Sequence, residues 1–403
     1  MQRGSFQWMK SLNKSIILNK IRKDGPISRA QIAKDTKLTP PTVGTIVKEL
    51  IEQGIIKESA QGTSQGGRKP TMLVINNSEF FIIGIDAGPE DIVFVLADLS
   101  GEVIEQVEKR IRMPISEQEF IRTLKEGIND ILDRYYYIKS KVIGIGVAMH
   151  GVVDVDEGIS LFAPNLKLRD VPIKQELEQA FDLIVNVEND ARAFALGEAW
   201  FGESHDTKSM LAVNIGTGIG AGIVIDGELY HGEHDLAGEI GHMTIDLNGE
   251  ECQCGNQGCL QTIASGPAIV KRAKEALAHG YESKLPSMVD GDLSRLTGEI
   301  IYRAAKQDDR FAIQHLHQTG IAIGVGLTNL IHIVNPTRII IGGGVSNAHE
   351  FILDPILHTI KKRALTVQSK QTEVTVSKLG SNATVLGAVA LVLVDLFSPN
   401  TAN

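Results

Sequence analysis

The chain has 403 residues, of which 43 % are hydrophobic and 22 % charged, with a formal net charge of −9. That length predicts two or three domains, and the composition is that of an ordinary globular protein, which excludes a fibrous or low-complexity one. No apolar run is read as reaching the ~18 residues of a membrane span and no apolar core follows Met1-Gln2-Arg3-Gly4, so neither a membrane partner nor export is expected.

The net charge hides a split. Residues 1–75 carry thirteen Lys/Arg against five Asp/Glu, whereas the remainder carries 27 basic and 44 acidic residues. A basic segment on an acidic body suits a nucleic-acid-binding module, although a merely solvated basic face fits the charge equally well.

Pattern separates the two. Residues 11–23 read as a helix with Leu12, Ile16, Ile17 and Ile21 on one side, stopped by Asp24-Gly25-Pro26. Ser28 is the expected cap of a short helix, Arg29 to Asp35, and Thr39 the cap of a third that opens on Pro40. Val43, Ile46, Val47, Leu50 and Ile51 form one buried stripe on that third helix. Gly54 to Glu58 then starts a strand, Gln61 to Gly67 is a polar tip, and Thr71 to Ile75 returns as a second strand. Three helices followed by strand, tip and strand predict a winged helix-turn-helix domain over residues 1–75, with a helical protein-protein module as the alternative. Ser28, Arg29, Pro40, Pro41, Thr42, Thr45 and Lys48, with Arg68 and Lys69 on the tip, are the expected DNA-binding residues.

Residues 76–79 read as a linker to an α/β body. Phe80 to Asp86 and Ile92 to Ala97 are apolar strands around Asp86-Ala87-Gly88, helical patterns fill 116–137, and Val142 to Met149 is another buried strand. Leu183 to Val187 delivers Glu188-Asn189-Asp190 to a strand end, where α/β sheets present ligand-contacting groups, followed by a helix from Ala191 to Phe201. A second set begins with Met210 to Ile215, the loop Gly216 to Gly220 and Ile223-Val224-Ile225, and ends with a helix around 316–334, the strand Arg338 to Ile341 and a helix from Ala383 to Leu396. The repeated strand, glycine loop and strand predict two related lobes facing across an ancestral nucleotide cleft: 80–190 plus 383–398, and 191–382. Glycine loops after strands offer backbone N–H groups to phosphates, though tight packing also explains such glycines.

All three cysteines of the chain, Cys252, Cys254 and Cys259, fall within eight positions, ten residues after Gly238-Glu239-Ile240-Gly241-His242. Three thiolates and an imidazole match a closed tetrahedral site, so His242 and the cysteines are expected to hold a structural Zn²⁺ within the loop 242–259. A redox pair would leave one thiol over and would strain a Cys-X-Cys bridge. Reduced thiols reserved for a metal agree with a cytoplasmic location.

The run Asn214-Ile215-Gly216-Thr217-Gly218-Ile219-Gly220 through Gly238-Glu239-Ile240-Gly241-His242, the Cys-X-Cys-Gly-X-X-Gly-Cys loop and the N-terminal winged helix resemble the ROK family of repressors and sugar kinases. The resemblance spans nearly the whole chain and fits the repressor branch, in particular its xylose-responsive and related sugar-responsive members. It implies an actin/hexokinase-like two-lobed fold, zinc beside the sugar pocket, and a homodimer or homotetramer. It places Asn165, Asn189, Asp190, Glu239 and His242 at the sugar, with Asp190 as the general base in kinases. Chemically these side chains suit a polyol. The alternative for Asn189 and Asp190 is a helix-capping pair, and for Glu239 a partner of the zinc histidine.

Two departures stand out. Family kinases use Asp-X-Gly-Gly-Thr in the first phosphate loop, and this chain has Asp86-Ala87-Gly88-Pro89-Glu90. Pro89 removes a backbone donor, and Glu90 near a phosphate costs roughly 3–4 kcal/mol at ~4–5 Å and an effective dielectric of about 20. Gln261 stands where the family commonly has a glutamate on the sugar. The expectation is a non-enzymatic, sugar-responsive repressor on a palindromic operator, released by xylose or another free monosaccharide, because no pocket residue is cationic as a sugar phosphate would want. The alternatives are a sugar kinase with an appended DNA-binding domain and a repressor blind to ligand.

Overall fold

The computed structural model describes residues 3–61, 70–203 and 207–398. The chain divides into two compact units at Glu188/Asn189 and again at Gly387/Ala388, so the first unit takes both flanks of the sequence and the second its middle.

In the first unit, α1 (Arg3–Asp24), β1 (Ile27–Ser28), α2 (Arg29–Thr36), α3 (Pro40–Glu52), β2 (Ile56–Gln61) and β3 (Thr71–Ile75) form the N-terminal module. Ser28 and Thr39 cap α2 and α3 by accepting from Gln31 N and Thr42 N, as their positions before apolar periodicity predict. Val43, Ile46, Val47 and Leu50 of the stripe read from the sequence are buried and form the packed face, whereas Ile51 at its end is only half-buried. The strands pair in the order β1-β3-β2. The rest of the wing, residues 62–69 with Arg68 and Lys69, lies outside the described residues.

The remaining chain of this unit carries β4 (Phe81–Ala87), β5 (Asp91–Asp98), β6 (Val103–Arg110), α4 (Glu117–Arg134), β7 (Val142–Met149), β8 (Val152–Asp154), β9 (Ile159–Ala163), β10 (Leu168–Val171), α5 (Ile173–Phe181) and β11 (Ile184–Asn189). The main sheet runs β11-β7-β4-β5-β6. Its central strand β4 is a near-continuous apolar run because both faces are covered, whereas the edge strand β6, Val-Ile-Glu-Gln-Val-Glu-Lys-Arg, alternates half-buried and exposed positions. A Ser116/Glu119 capping box starts α4, whose Phe120, Leu124, Ile128 and Ile131 are buried. The small sheet β8-β9-β10 and α5 were not anticipated; their strands are three to five residues long, too short for a periodic signal.

The second unit holds α6 (Asp190–Phe201), β12 (Ser209–Ile215), β13 (Ile219–Ile225), β14 (Glu228–Leu229), α7 (Gln261–Ala264), α8 (Gly266–Ala278), α9 (Leu285–Met288), α10 (Gly298–Ala305), α11 (Arg310–Val334), β15 (Arg338–Gly342), α12 (Glu350–Arg363) and β16 (Glu373–Val376). Its sheet runs β14-β13-β12-β15-β16, with β12, β15 and β16 parallel. The last helix, α13 (Ala383–Phe397), begins here and ends in the first unit. Residues 380–397, α13 with the short turn before it, correct one sequence expectation, since this 18-residue window has a mean hydropathy of 1.7 and is long and apolar enough to span a membrane by composition. Just over half of that window, 56 %, is buried inside the fold. Packing explains the composition: Ala388, Val389, Ala390 and Leu393 are fully buried, and a Cβ on Gly146 of β7 would sit 1.8 Å from the Ala388 carbonyl oxygen.

A histidine in α11 ties stability of the second unit to pH. His315 is 6 % exposed, stacks on Phe311 and shares a hydrogen bond of 2.8 Å with the Ile269 carbonyl through Nε2. Burial first, and the Arg272 charge second, push its pKa down to about 4 from 6.5. The folded state therefore prefers neutral imidazole, and its contribution is complete above pH 6.5 and falls away as pH drops from 6.5 towards 4. Denaturant titrations across that window should show a decline that His315→Gln flattens.

Candidate functional site

The Cys/His cluster sits on a short knuckle that the chain folds back on itself. Ile245 N and Gly258 O (2.9 Å), Leu260 N and Met243 O (2.9 Å), and Cys252 N and Asn256 O (2.7 Å) close it. Gly258 has a φ of 68°, and a Cβ there would lie 1.6 Å from the Asp246 carbonyl oxygen, so only glycine lets the two arms touch. The result brings one ligand atom each from His242, Cys252, Cys254 and Cys259 within 4.8 Å of one another.

These positions fit a four-coordinate ion. With metal–sulfur bonds of about 2.3 Å and metal–nitrogen bonds of about 2.05 Å, tetrahedral geometry puts sulfurs about 3.8 Å apart and sulfur and nitrogen about 3.6 Å apart. Cys254 Sγ and Cys259 Sγ are separated by 3.8 Å, and Cys252 Sγ and His242 Nδ1 by 3.7 Å. The donor chemistry agrees. Burial raises the Cys252 thiol, but hydrogen bonds from Cys254, Gln261 and His242 outweigh it and bring it to about 7. Burial, then the neighbouring Cys252 and Cys254 thiols, push Cys259 up to about 12. The Cys252 and Cys254 thiols oppose ionisation of Cys259, and a divalent cation held among them would offset that.

His242 turns Nδ1 to the sulfurs, which leaves Nε2 on the side of Glu239, 4.0 Å from its Oε2. Gln261, at the start of α7, donates from Nε2 to Cys252 Sγ at 3.3 Å. A glutamate has no donor to make that contact. The neutral amide, read from sequence only as a changed sugar contact, thus donates to one of the four candidate ligands, a contact that only the folded knuckle reveals.

In the same unit, Asn189 is the N-cap of α6. Its Oδ1 accepts from Ala191 N at 2.9 Å and Arg192 N at 3.1 Å, and its Nδ2 donates to Asp190 Oδ1 at 3.0 Å. The capping reading of this pair is therefore realised, with Asn189 8 % exposed. The glycine loop is shorter than expected. Ile219 and Gly220 belong to β13, paired with Ile215 and Asn214, and Gly216 N donates to Gly218 O at 2.9 Å. That amide is spent inside the loop.

In the first unit, Asn165 Nδ2 meets His150 Nε2 at 3.0 Å. His150 was missed by sequence reasoning, yet it follows directly on β7, and strand ends are where such sheets place ligand groups. At the phosphate loop, β4 ends at Ala87 and the carbonyl of Glu90 accepts from Ile111 N at 2.8 Å, so Gly88-Pro89-Glu90 is a hairpin turn between β4 and β5.

On the N-terminal module, exposed Pro41, Thr45 and Lys48 follow at i, i+4 and i+7, one face of α3 opposite its buried stripe. Thr42 sits beside them, its Oγ1 2.8 Å from that of the cap Thr39. Pro40, also exposed, opens the helix. Three further expected DNA contacts also have partners within the chain: Ser28 Oγ accepts from Gln31 N at 3.2 Å, Arg29 pairs with Glu58 at 2.9 Å, and Lys48 lies 3.8 Å from Glu52.

Residues 82–394 match the ROK family, and residues 13–57 match a winged helix-turn-helix DNA-binding family. The xylose repressor of Caldicellulosiruptor bescii is 34 % identical over 395 residues, covering 98 % of each chain. The N-acetylglucosamine repressor of Escherichia coli O6:H1 is 34 % identical over 392 residues, covering 97 % of this chain and 94 % of its own. Among solved structures, a ROK family transcriptional regulator described as a homologue of the E. coli MLC protein superposes with a TM-score of 0.87 at 31 % identity, covering 97 % of both chains.

Proposed function

The chain belongs to the ROK family, and on that premise we propose that it is a sugar-responsive transcriptional repressor. It holds a palindromic DNA operator as a homodimer or homotetramer through its winged helices and leaves it when a free monosaccharide binds the body. The observation that carries this reading is the combination in one chain of a helix-turn-helix, whose α3 exposes Pro41, Thr45 and Lys48, with a body built on the ROK pattern. The turn at Pro89-Glu90 argues against a kinase, since it withdraws a donor and adds a negative charge where nucleotide phosphates would lie.

Asp190, Glu239, Asn165, Gln261 and the Nε2 side of His242 are the proposed sugar contacts, as carboxylates, amides and an imidazole suit ring hydroxyls. Asn189 contributes through its cap and its hydrogen bond to Asp190. Zn²⁺ is the proposed ion of the His/Cys cluster: four ligands closed on all sides hold the fold rather than perform chemistry. The bound ion would fix His242, and so the Glu239 side of its ring. Xylose is the first candidate effector; the two relatives named for xylose and for N-acetylglucosamine are equally similar to this chain, so overall identity does not select between them. The protein acts in the cytoplasm in this reading, where its thiols stay reduced.

Switching needs only that sugar bind the DNA-incompetent arrangement more tightly; operator DNA then weakens sugar binding by the same factor. Gel shifts on operator DNA with a panel of free and phosphorylated sugars test this. One free sugar should release wild-type protein, while Asp190→Ala should keep DNA affinity and require at least tenfold more sugar. If no sugar in the panel alters DNA binding, the sensing half of the proposal is wrong.

A further inference from the structure

Glycine inside a helix carries a stability penalty, so each such glycine asks for a reason. In the described helix interiors of this chain the reason is almost always packing. A Cβ added at Gly127, Gly197, Gly320, Gly324, Gly326 or Gly387 would come within 3.0 Å of another part of the protein. Gly44 is the exception. It is the fifth residue of α3, half-buried, and a Cβ there would meet nothing within 4 Å. Among the described residues, nothing calls for glycine at that position.

On a 100° helical wheel, the buried positions 43, 46, 47 and 50 face one way and Pro41, Thr45, Lys48 and Glu52 face the other, with Gly44 on one flank between them. A reading helix in a major groove turns its outer face to the base edges and its flanks to the sugar–phosphate walls. We propose that Gly44 is a docking residue for DNA: its bare Cα lets one sugar–phosphate wall of the groove lie directly against the α3 backbone, setting how deeply the helix enters. The proposal rests on the DNA-binding reading above and deepens it, because it assigns α3 a depth stop that is read by shape rather than by a side chain.

The test uses the full-length, metal-loaded protein and a random-sequence duplex pool, enriched by repeated rounds of binding to the wild type. Gly44→Ala and Gly44→Leu are then measured on the enriched duplex. Expected are unchanged or slightly raised thermal midpoints, a tenfold or greater loss of affinity for Gly44→Ala, a larger loss for Gly44→Leu, and the same preferred sequence, because a wall contact carries no base code. Affinities of both variants within twofold of wild type overturn the proposal. So does a changed preferred sequence at unchanged affinity, which would place a base edge at Gly44 instead. Failure of wild type to enrich any duplex sinks the DNA-binding reading and this proposal with it, whereas enrichment with indifferent Gly44 variants sinks this proposal alone.

Discussion

Cys259→Ser should be among the most damaging single substitutions in this chain. The sulfur is fully buried, its carbonyl accepts from Thr262 Oγ1, and its residue bridges to Thr244 across the knuckle. A hydroxyl in its place would be a poor ligand for a thiolate-selective site, so the proposed ion would be lost. Binding energy of a structural metal is folding energy, so its loss should melt the knuckle and with it the positions of Glu239 and His242. We expect the protein as purified to hold one zinc per chain by atomic absorption, the variant less than a tenth of that, and thermal unfolding to drop by ten degrees or more. A strong chelator should reproduce the drop in wild type. Full metal content and stability in Cys259→Ser would show that the cluster is only four packed side chains.

Phe397→Ala should loosen the DNA-binding module from far along the sequence. The Phe397 ring is 3 % exposed with the Arg22 guanidinium 5.6 Å from its centre, and its carbonyl accepts from Ser15 Oγ and, at 2.9 Å, from Asn19 Nδ2. All three partners belong to α1. Truncating a buried phenylalanine typically costs about 3–5 kcal/mol, and here the lost packing falls on the helix that supports α2 and α3. Operator affinity should fall at least tenfold at 37 °C and recover on cooling, with sugar affinity unchanged. Hydrogen exchange confined to α1–α3 is the direct readout; uniform exchange across the chain would mean that the contact holds nothing in particular.

Much of this was legible in the residues because it depends on local rules. Caps at Ser28 and Thr39, the buried stripe of α3 and the apolar runs of β4 and β7 are set by neighbours a few positions away. The Cys/His cluster, which could hold an ion, announced itself by the spacing of three cysteines. What stayed hidden depends on distant partners. No pattern around residue 397 signals Ser15 or Asn19, and no motif around His150 signals Asn165, fifteen positions on. Gln261 looked like a weakened sugar contact because its donor to Cys252 exists only once the knuckle closes. Nor could a sequence distinguish Gly44 from the glycines that packing requires, since the two classes separate only when the space around each is measured.

The first unit is completed by chain that is made long after the rest of it. Its opening 188 residues must wait for the whole second unit, and then for residues 388–397, before α1 gains the carbonyl and the ring that hold it. A ribosome halted anywhere in the middle of this message would therefore release a fragment with a reading helix but without its brace. Such truncated products would compete poorly for operator sites, leaving gene control to molecules that were translated through to that closing helix.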